Sequence, residues 1–241
     1  MITGASDGIG KCCAVHFAEY GANLILLGRS REKLEEVYDL LQSTENSSIV
    51  IHPLDFTKAL ESDYTQISES IGEQFSSLDG LIHNAGMLGA RCPIEYYPAE
   101  TWDQIFKVNS SAIFLLTKYL LPRLRSSPDA RILITSSSVG RKARGNWGAY
   151  AVSKFAAEGL MQVLSEELEK TSNIRVNSLN PGGIRSNMRR SAYPAEDPSK
   201  IPPPEVLMPL YLYLFSLESQ NIHGEALNFK DFDPSKYVKS V

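Results

Sequence analysis

Thr3-Gly4-Ala5-Ser6-Asp7-Gly8-Ile9-Gly10 stands at the head of this chain and opens a stretch of helical spacing that closes at Gly21. Glycines crowded at the turn from a strand into a helix let the backbone approach a pyrophosphate. The charge of that group then rests on the unpaired amides of the helix N-terminus. No Gly-Lys-Ser/Thr ending follows, so the loop is not an ATP- or GTP-binding P-loop. The same residues, Gly4-Ala5-Ser6-Asp7-Gly8, also match the Gly-x-Ser-x-Gly elbow of serine hydrolases. That elbow needs an oxyanion donor from an earlier strand–helix loop, then an acid and a histidine downstream. Nothing upstream of residue 4 supplies the donor and His223 is the only late histidine, so the hydrolase reading is set aside. A glycine-rich turn that holds no ligand is the plain alternative.

Working outward from this loop, short apolar runs alternate with longer amphipathic segments. The runs are Asn23–Gly28, Ser48–Asp55, Leu78–Asn84, Arg131–Ser138, Ile174–Asn180 and Glu225–Phe229. Each is short, rich in Ile, Leu or Val, and bounded by Gly, Pro, Asn or Asp, as buried parallel strands are. Between them, spacing such as Trp102, Ile105, Phe106, Ile113, Leu116 and Leu120 marks one face of a helix over Trp102–Leu121. This alternation predicts an α/β fold, a doubly wound parallel sheet with helices on both faces, in one domain over residues 1–241. A strand of about five residues is expected before Gly4. Only Met1 and Ile2 stand there, so the first strand is either cut short or stunted. Tyr193–Pro204 is rich in proline and reads as a long loop within the domain, part of a substrate-binding segment at 183–207.

The composition is that of an ordinary globular protein of 241 residues, 43% apolar and 22% charged. Lys plus Arg is 24 and Asp plus Glu is 28, a net charge of −4, which lacks the basic footprint of a nucleic-acid binder. Cys12, Cys13 and Cys92 form no Cys-x-x-Cys pair and do not suit a disulfide framework, as expected in a reducing cytoplasm. No apolar run approaches the ~20 residues that span a bilayer. A soluble protein without nucleic-acid or membrane partners is expected.

Tyr150 and Lys154 lie four apart at the start of a helix expected over Ala149–Thr171, so their side chains share a face. Thirteen residues earlier a strand ends in Ser136-Ser137-Ser138, and Asn109 lies on the preceding long helix. Together with the Thr3–Gly10 loop, Asp55, Asn84-Ala85-Gly86 and Pro181-Gly182, these residues make the chain resemble the short-chain dehydrogenase/reductase family along nearly its whole length. Within it, Leu81–Gly86 and Gly145–Tyr150 look like the bacterial YciK-type oxidoreductases.

The resemblance implies a Rossmann-type NAD(P)-binding fold and an oxidoreductase that interconverts a carbonyl and a secondary alcohol. It implies a catalytic set of Asn109, Ser137, Tyr150 and Lys154. Tyr150 would give and take the proton, and Ser137, selected from the triplet by family spacing, would bind the substrate oxygen. Lys154 would hold the nicotinamide ribose and Asn109 a proton-relaying water. A free phenol has a pKa near 10, and the Lys154 ammonium is expected to lower it. The implied cofactor contacts are Gly4, Ser6, Asp7, Gly8, Ile9, Gly10, Arg29, Ser30, Asp55, Asn84, Ala85, Gly86, Tyr150, Lys154, Pro181, Gly182, Ile184 and Ser186. A reductase for carrier-bound 3-oxoacyl chains and a non-catalytic dinucleotide sensor are the alternatives.

The second strand bears on the choice of cofactor. It ends Leu27-Gly28-Arg29-Ser30, with glycine where NAD enzymes carry the acid that binds the ribose 2′-hydroxyl. Arg29 can pair with a 2′-phosphate, so NADP(H) is expected ahead of NAD(H). Asp7 pulls the other way, because many NADP-preferring relatives carry a basic residue in the glycine loop. His83 stands where the family commonly has Asn and is expected to be structural. Asn109-Ser110-Ser111 matches a glycosylation sequon, which on a catalytic helix is a false positive.

Two further expectations follow from local patterns. Arg141, Lys142 and Arg144, with Arg185, Arg189 and Arg190, make two basic loops that suggest an anionic substrate, solvated charges being the alternative. Val108, Ala112 and Leu115 lie off the main apolar face of their helix. With the Tyr150–Thr171 helix they suggest a seam for a homodimer or homotetramer, burial under the chain's own loops being the alternative.

Overall fold

The computed structural model describes residues 1–42 and 47–233; residues 43–46 and 234–241 of the expected 1–241 unit lie outside the described residues. Seven parallel strands form one sheet: β1 (Ile2–Thr3), β2 (Leu24–Gly28), β3 (Ile49–Pro53), β4 (Gly80–His83), β5 (Arg131–Thr135), β6 (Arg175–Asn180) and β7 (Ala226–Asn228). Their order is β3-β2-β1-β4-β5-β6-β7. All six runs expected from the sequence are strands, and β1 is indeed short, with Ile2 facing Leu26 on one side and Ile82 on the other.

Side chains leave a strand alternately to its two faces, so a strand covered on both sides must be apolar throughout. Ile25 and Leu27 of β2, with Ile132 and Ile134 of β5, join the core under α3 (Glu61–Gln74), α5 (Ala112–Arg125) and α6 (Gly148–Glu169). Leu24, Leu26 and Leu133 turn the other way. They pack with α1 (Gly8–Glu19), α2 (Arg31–Leu41) and α8 (Met208–Leu214). This even division accounts for uninterrupted apolar runs where a one-sided sheet would show alternation.

The helix expected over Trp102–Leu121 is a longer and broken one. It comprises α4 (Ala99–Phe106), a π-helical segment (Lys107–Ser111) and α5. Segments of this kind appear mostly as single turns within α-helices and often at functional sites; here the segment carries Asn109. The Tyr193–Pro204 stretch is less irregular than its prolines suggest. It follows a short helix, α7 (Asn187–Ala192), contains the 3-10 turn Pro198–Lys200 and leads into another, Pro204–Leu207. Among the described residues, no helix is long and apolar enough to cross a membrane.

The strand order runs outward in both directions from the β1–β4 pair. A crevice therefore opens above the C-terminal ends of these two strands, the place where open α/β sheets bind ligands.

Candidate active site

The glycine loop lies in that crevice between β1 and α1. Gly4 and Gly8 have φ of 66° and 53°, which an L side chain rarely adopts. A Cβ on Gly10 would come within 2.2 Å of the Gly4 carbonyl oxygen, so α1 can begin this close to β1 only with glycine there. Gly10 itself stands behind the cleft wall, where it sets the packing of α1 against β1. Thr3 Oγ1 accepts hydrogen bonds from the Asn84 and Ala85 amides, both at 3.0 Å. Asn84 Nδ2 returns one to the Thr3 carbonyl at 3.2 Å. Those bonds hold the loops after β1 and β4 as one unit.

Asp7 caps α1 by accepting from the Gly8 amide at 2.7 Å, and it accepts from Asn187 Nδ2 at 2.5 Å. A carboxylate suits a helix N-terminus, and this one also ties the glycine loop to α7. Those two bonds give the acidic residue a structural reason.

One end of the cleft is cationic. Arg29, Ser30, Lys33 and Asp55 line it around Gly28. A Cβ on Gly28 would already press at 3.3 Å on both Ser6 Oγ and Leu34 Cδ2, which leaves little room for an acidic side chain. Ser30 caps α2 by accepting from the Lys33 amide at 3.3 Å. Burial alone would raise the Asp55 carboxyl. Two hydrogen bonds from Thr57, with the charges of Arg29 and Lys58, outweigh it and hold the group below its usual range.

The other end carries the titratable pair. Tyr150 and Lys154 both line the cleft from the first turns of α6, and both are buried. Lys154 Nζ donates to the Thr135 carbonyl at 2.7 Å and stands 5.8 Å from the Tyr150 ring centre. Burial lowers the Lys154 ammonium to about 8, against a smaller opposing effect of Glu158. Burial also raises the Tyr150 phenol, and the Ser137 hydroxyl opposes this. For this phenol burial is the larger influence, since desolvation disfavours the charged phenolate.

Of the three serines, Ser138 is exposed and off the cleft, while Ser136 and Ser137 both line it; the Ser136 hydroxyl is buried without a protein partner, and the Ser137 hydroxyl is the one beside Tyr150. Gly140 was not singled out in the sequence. A Cβ there would lie 2.7 Å from Lys154 Cβ, so this glycine lets α6 bring Lys154 beneath the end of β5.

Asn109 is held on three sides by protein partners. Its Oδ1 accepts from the Met87 amide at 2.8 Å, and its Nδ2 donates to the Met87 carbonyl and to Ser153 Oγ, both at 3.0 Å. The side chain is fully buried and does not line the cleft. It fastens the loop after β4 to α6.

The remaining expected residues meet on the cleft wall: Ser6, Ile9, Ala85, Gly86, Pro181, Gly182, Ile184 and Ser186. Gly182 has φ 76° and open space where a Cβ would stand. Ser186 caps α7 by accepting from the Arg189 amide at 3.1 Å. The cleft encloses about 570 Å³, within the usual range for small-molecule sites.

The short chain dehydrogenase family pattern matches residues 1–197. The chain belongs to the short chain dehydrogenase family. It is 45% identical over 224 residues to the oxidoreductase YciK of Escherichia coli K12, covering 93% of this chain and 88% of that one. A short chain dehydrogenase from Pseudomonas syringae superposes with a TM-score of 0.92 at 48% identity, covering 94% and 92% of the two chains. One from Shigella flexneri 2a, solved in complex with NADP, superposes at 0.91 with 44% identity and 94% of each chain covered. As a short chain dehydrogenase the protein is an oxidoreductase with a Rossmann-like fold.

Other features of this dehydrogenase can be set beside the expectations. His83 Nε2 is 2.9 Å from Thr117 Oγ1, and burial pushes its imidazole down to about 3, which agrees with a neutral, structural histidine. The basic loops are less free than their sequence suggests. Arg141 pairs with Glu158 at 2.9 Å and donates to Asn228 Oδ1, Ser178 Oγ and the Leu227 carbonyl, which fastens its loop to β6 and β7. Arg189 lines the cleft, but it makes a two-bond pair with Glu196, both contacts at 2.6 Å. Arg144, Arg185, Arg190 and Lys142 are exposed and lie off the cleft wall.

Ala112 is buried in the core, while Val108 and Leu115 are half-buried against it, Val108 also lining the cleft. Among the large apolar residues of α5 and α6, those left exposed are Phe114 on α5 and Val152, Phe155 and Val163 on α6. Lys33, Trp147 and Ser153 were not marked by sequence reasoning. Only the helical register after Ser30, which sets Lys33 three residues on, could have pointed to one of them.

Proposed function

We propose that the chain is an NADP(H)-dependent oxidoreductase that interconverts a carbonyl compound and a secondary alcohol. The observation that carries this reading is a single cleft with Arg29 and Lys33 at one end and the Tyr150 hydroxyl, Ser137 and Lys154 at the other. The residues fit a dinucleotide. Gly8 and Gly182 leave the lower wall without side chains, and two cations without an acid at Gly28 suit a 2′-phosphate. The relative from Shigella flexneri 2a, solved with NADP, supports the same choice.

When bound, the nicotinamide supplies or accepts the hydride. For reduction, the substrate oxygen lies between the hydroxyls of Tyr150 and Ser137, which polarise the carbonyl. As negative charge grows on that oxygen, the phenol O–H of Tyr150 breaks and its proton passes to the oxygen, giving the alcohol. Lys154, still an ammonium at neutral pH, attracts the charge left on the phenolate and favours the transfer. Uptake of one proton from water restores Tyr150, so carbonyl, reduced cofactor and proton become alcohol and oxidised cofactor. Asn109 acts here as a positioning residue for the Met87 loop. Residues 183–207, which include α7, form the substrate-binding side. A single domain over 1–241 and a cytoplasmic location complete the reading. Oxidation of NADPH on mixing with a panel of aldehydes and ketones tests it, and no oxidation with any of them would refute it.

The assembly belongs to this proposal. Val152, Phe155 and Val163 share one stripe of α6 with Gly159, where no heavy atom lies within 4 Å of the Cβ position. An apolar stripe this open is suited to the same stripe of a second copy. Phe155→Glu is expected to convert a dimer or tetramer into smaller species on sedimentation. An unchanged sedimentation coefficient would count against this face.

A further inference from the structure

The cleft beside Tyr150 is walled differently from the rest. Leu88, Met188 and Ala192 supply aliphatic surface, while Trp147 and Tyr193 stand with ring centres 6.0 Å apart at 54°, forming an angled notch. Trp147 also lies 5.7 Å from the Tyr150 ring, so the notch adjoins the reacting hydroxyl. Arg91, which does not line the cleft, braces this wall. Its guanidinium lies 4.2 Å from the Trp147 ring centre and 5.2 Å from that of Tyr193, and it donates to the Ala192 carbonyl at 2.5 Å. Arginine over aromatic faces is attracted by the ring quadrupole, so the loop holding Arg91 fixes both rings and the end of α7 together.

On the α7 side the cleft charge is already paired, and the other cleft cation here, Lys154, is buried and held by the Thr135 carbonyl. Arg189 is the cation of the α7 side that reaches the cleft. It is neutralised by Glu196 and lies 4.1 Å from the centre of the Tyr193 ring. A substrate carboxylate entering the notch would have to displace Glu196 or remain unpaired beside apolar rings, and either is costly.

We infer that the substrate is an uncharged aldehyde or ketone with a flat, apolar substituent, seated against Trp147 and Tyr193, and not an anionic one. This inference rests on the carbonyl-reductase reading and narrows its substrate class. The aromatic notch selects the flat group, the Arg189–Glu196 pair disfavours the anion, and the neighbouring Tyr150 protonates the oxygen.

The test compares para-methylacetophenone with para-carboxyacetophenone, which differ little in shape but by one charge. Turnover is followed with NADPH. Binding is measured separately by calorimetry with NADP⁺, where both partners are oxidised and no reaction proceeds. The neutral ketone is expected to have about tenfold or greater advantage in kcat/KM and in Kd. Trp147→Ala should remove most of that advantage by raising the neutral ketone's KM, and Trp147→Phe should keep most of it. Glu196→Gln, which unmasks Arg189, should improve the carboxylate about tenfold. Turnover of both ketones with equal or better use of the carboxylate would overturn the inference and leave the carbonyl-reductase reading standing. Absence of turnover, with the neutral ketone still bound more tightly, would refute that reading but uphold the selectivity of the notch. Equal binding of the two ketones would overturn the inference whatever the turnover.

Discussion

Tyr150→Phe is expected to lower kcat by about 10²–10⁴-fold, the usual contribution of a positioned general acid, while leaving the Kd for NADPH within about twofold. The substitution removes one hydroxyl and keeps the ring. Its packing against Trp147, 5.7 Å away, survives, and so does the wall it helps to form. What disappears is the proton donor and its contact with the Ser137 hydroxyl. Because the lost group acts on the oxygen that gains charge during reaction, the effect belongs to the transition state and not to cofactor affinity. Fluorescence titration of NADPH and initial rates on the purified variant separate the two quantities. A variant that keeps most of its rate would move the proton donor elsewhere; one that loses cofactor affinity in parallel would make Tyr150 a binding residue.

The unmutated enzyme is expected to prefer NADPH to NADH by about tenfold or more in kcat/KM, as one charge-assisted contact of ~1.5–3 kcal/mol provides. Arg29 and Lys33 line the same end of the cleft, so the structure adds a second cation to the one evident in the sequence. Arg29→Ala should therefore remove most of the preference, and Arg29→Ala with Lys33→Ala should remove the rest. Both should act by weakening NADPH, with little change in NADH, which carries no 2′-phosphate to lose. Gly28→Asp is expected to weaken both cofactors, since the Cβ alone already presses on Ser6 Oγ and Leu34. Equal kcat/KM for the two cofactors in the unmutated enzyme would contradict this assignment.

Much of this was legible in the sequence because it rests on local rules. The six apolar runs are strands, since a sheet covered on both faces needs apolar side chains in both directions, as Ile25 and Leu26 show by entering different cores. The Tyr150–Lys154 spacing needed only the period of a helix. What escaped were features decided by contacts between distant segments. Asn109 lies near the middle of a π segment and bonds to Met87 and Ser153, partners that no spacing rule connects with it. Arg141 and Arg189 look like free charges in their loops. Glu158 and Glu196 neutralise them, one from α6 and the other from just beyond α7. Ala112, beside the main apolar face of its helix, is core, whereas Val108 and Leu115 are half-buried against it, a difference that the helical period alone does not distinguish.

Isotope transfer tests the central claim most directly. NADPH deuterated at the transferable position of the nicotinamide is incubated with the enzyme and a neutral aryl ketone, and the alcohol is analysed by mass spectrometry and proton NMR. The account predicts one deuterium in each product molecule, bound to the carbinol carbon and in a single stereochemical configuration, with the hydroxyl proton coming from water. Alcohol carrying no deuterium at that carbon, or no alcohol formed from any carbonyl compound offered, would contradict it.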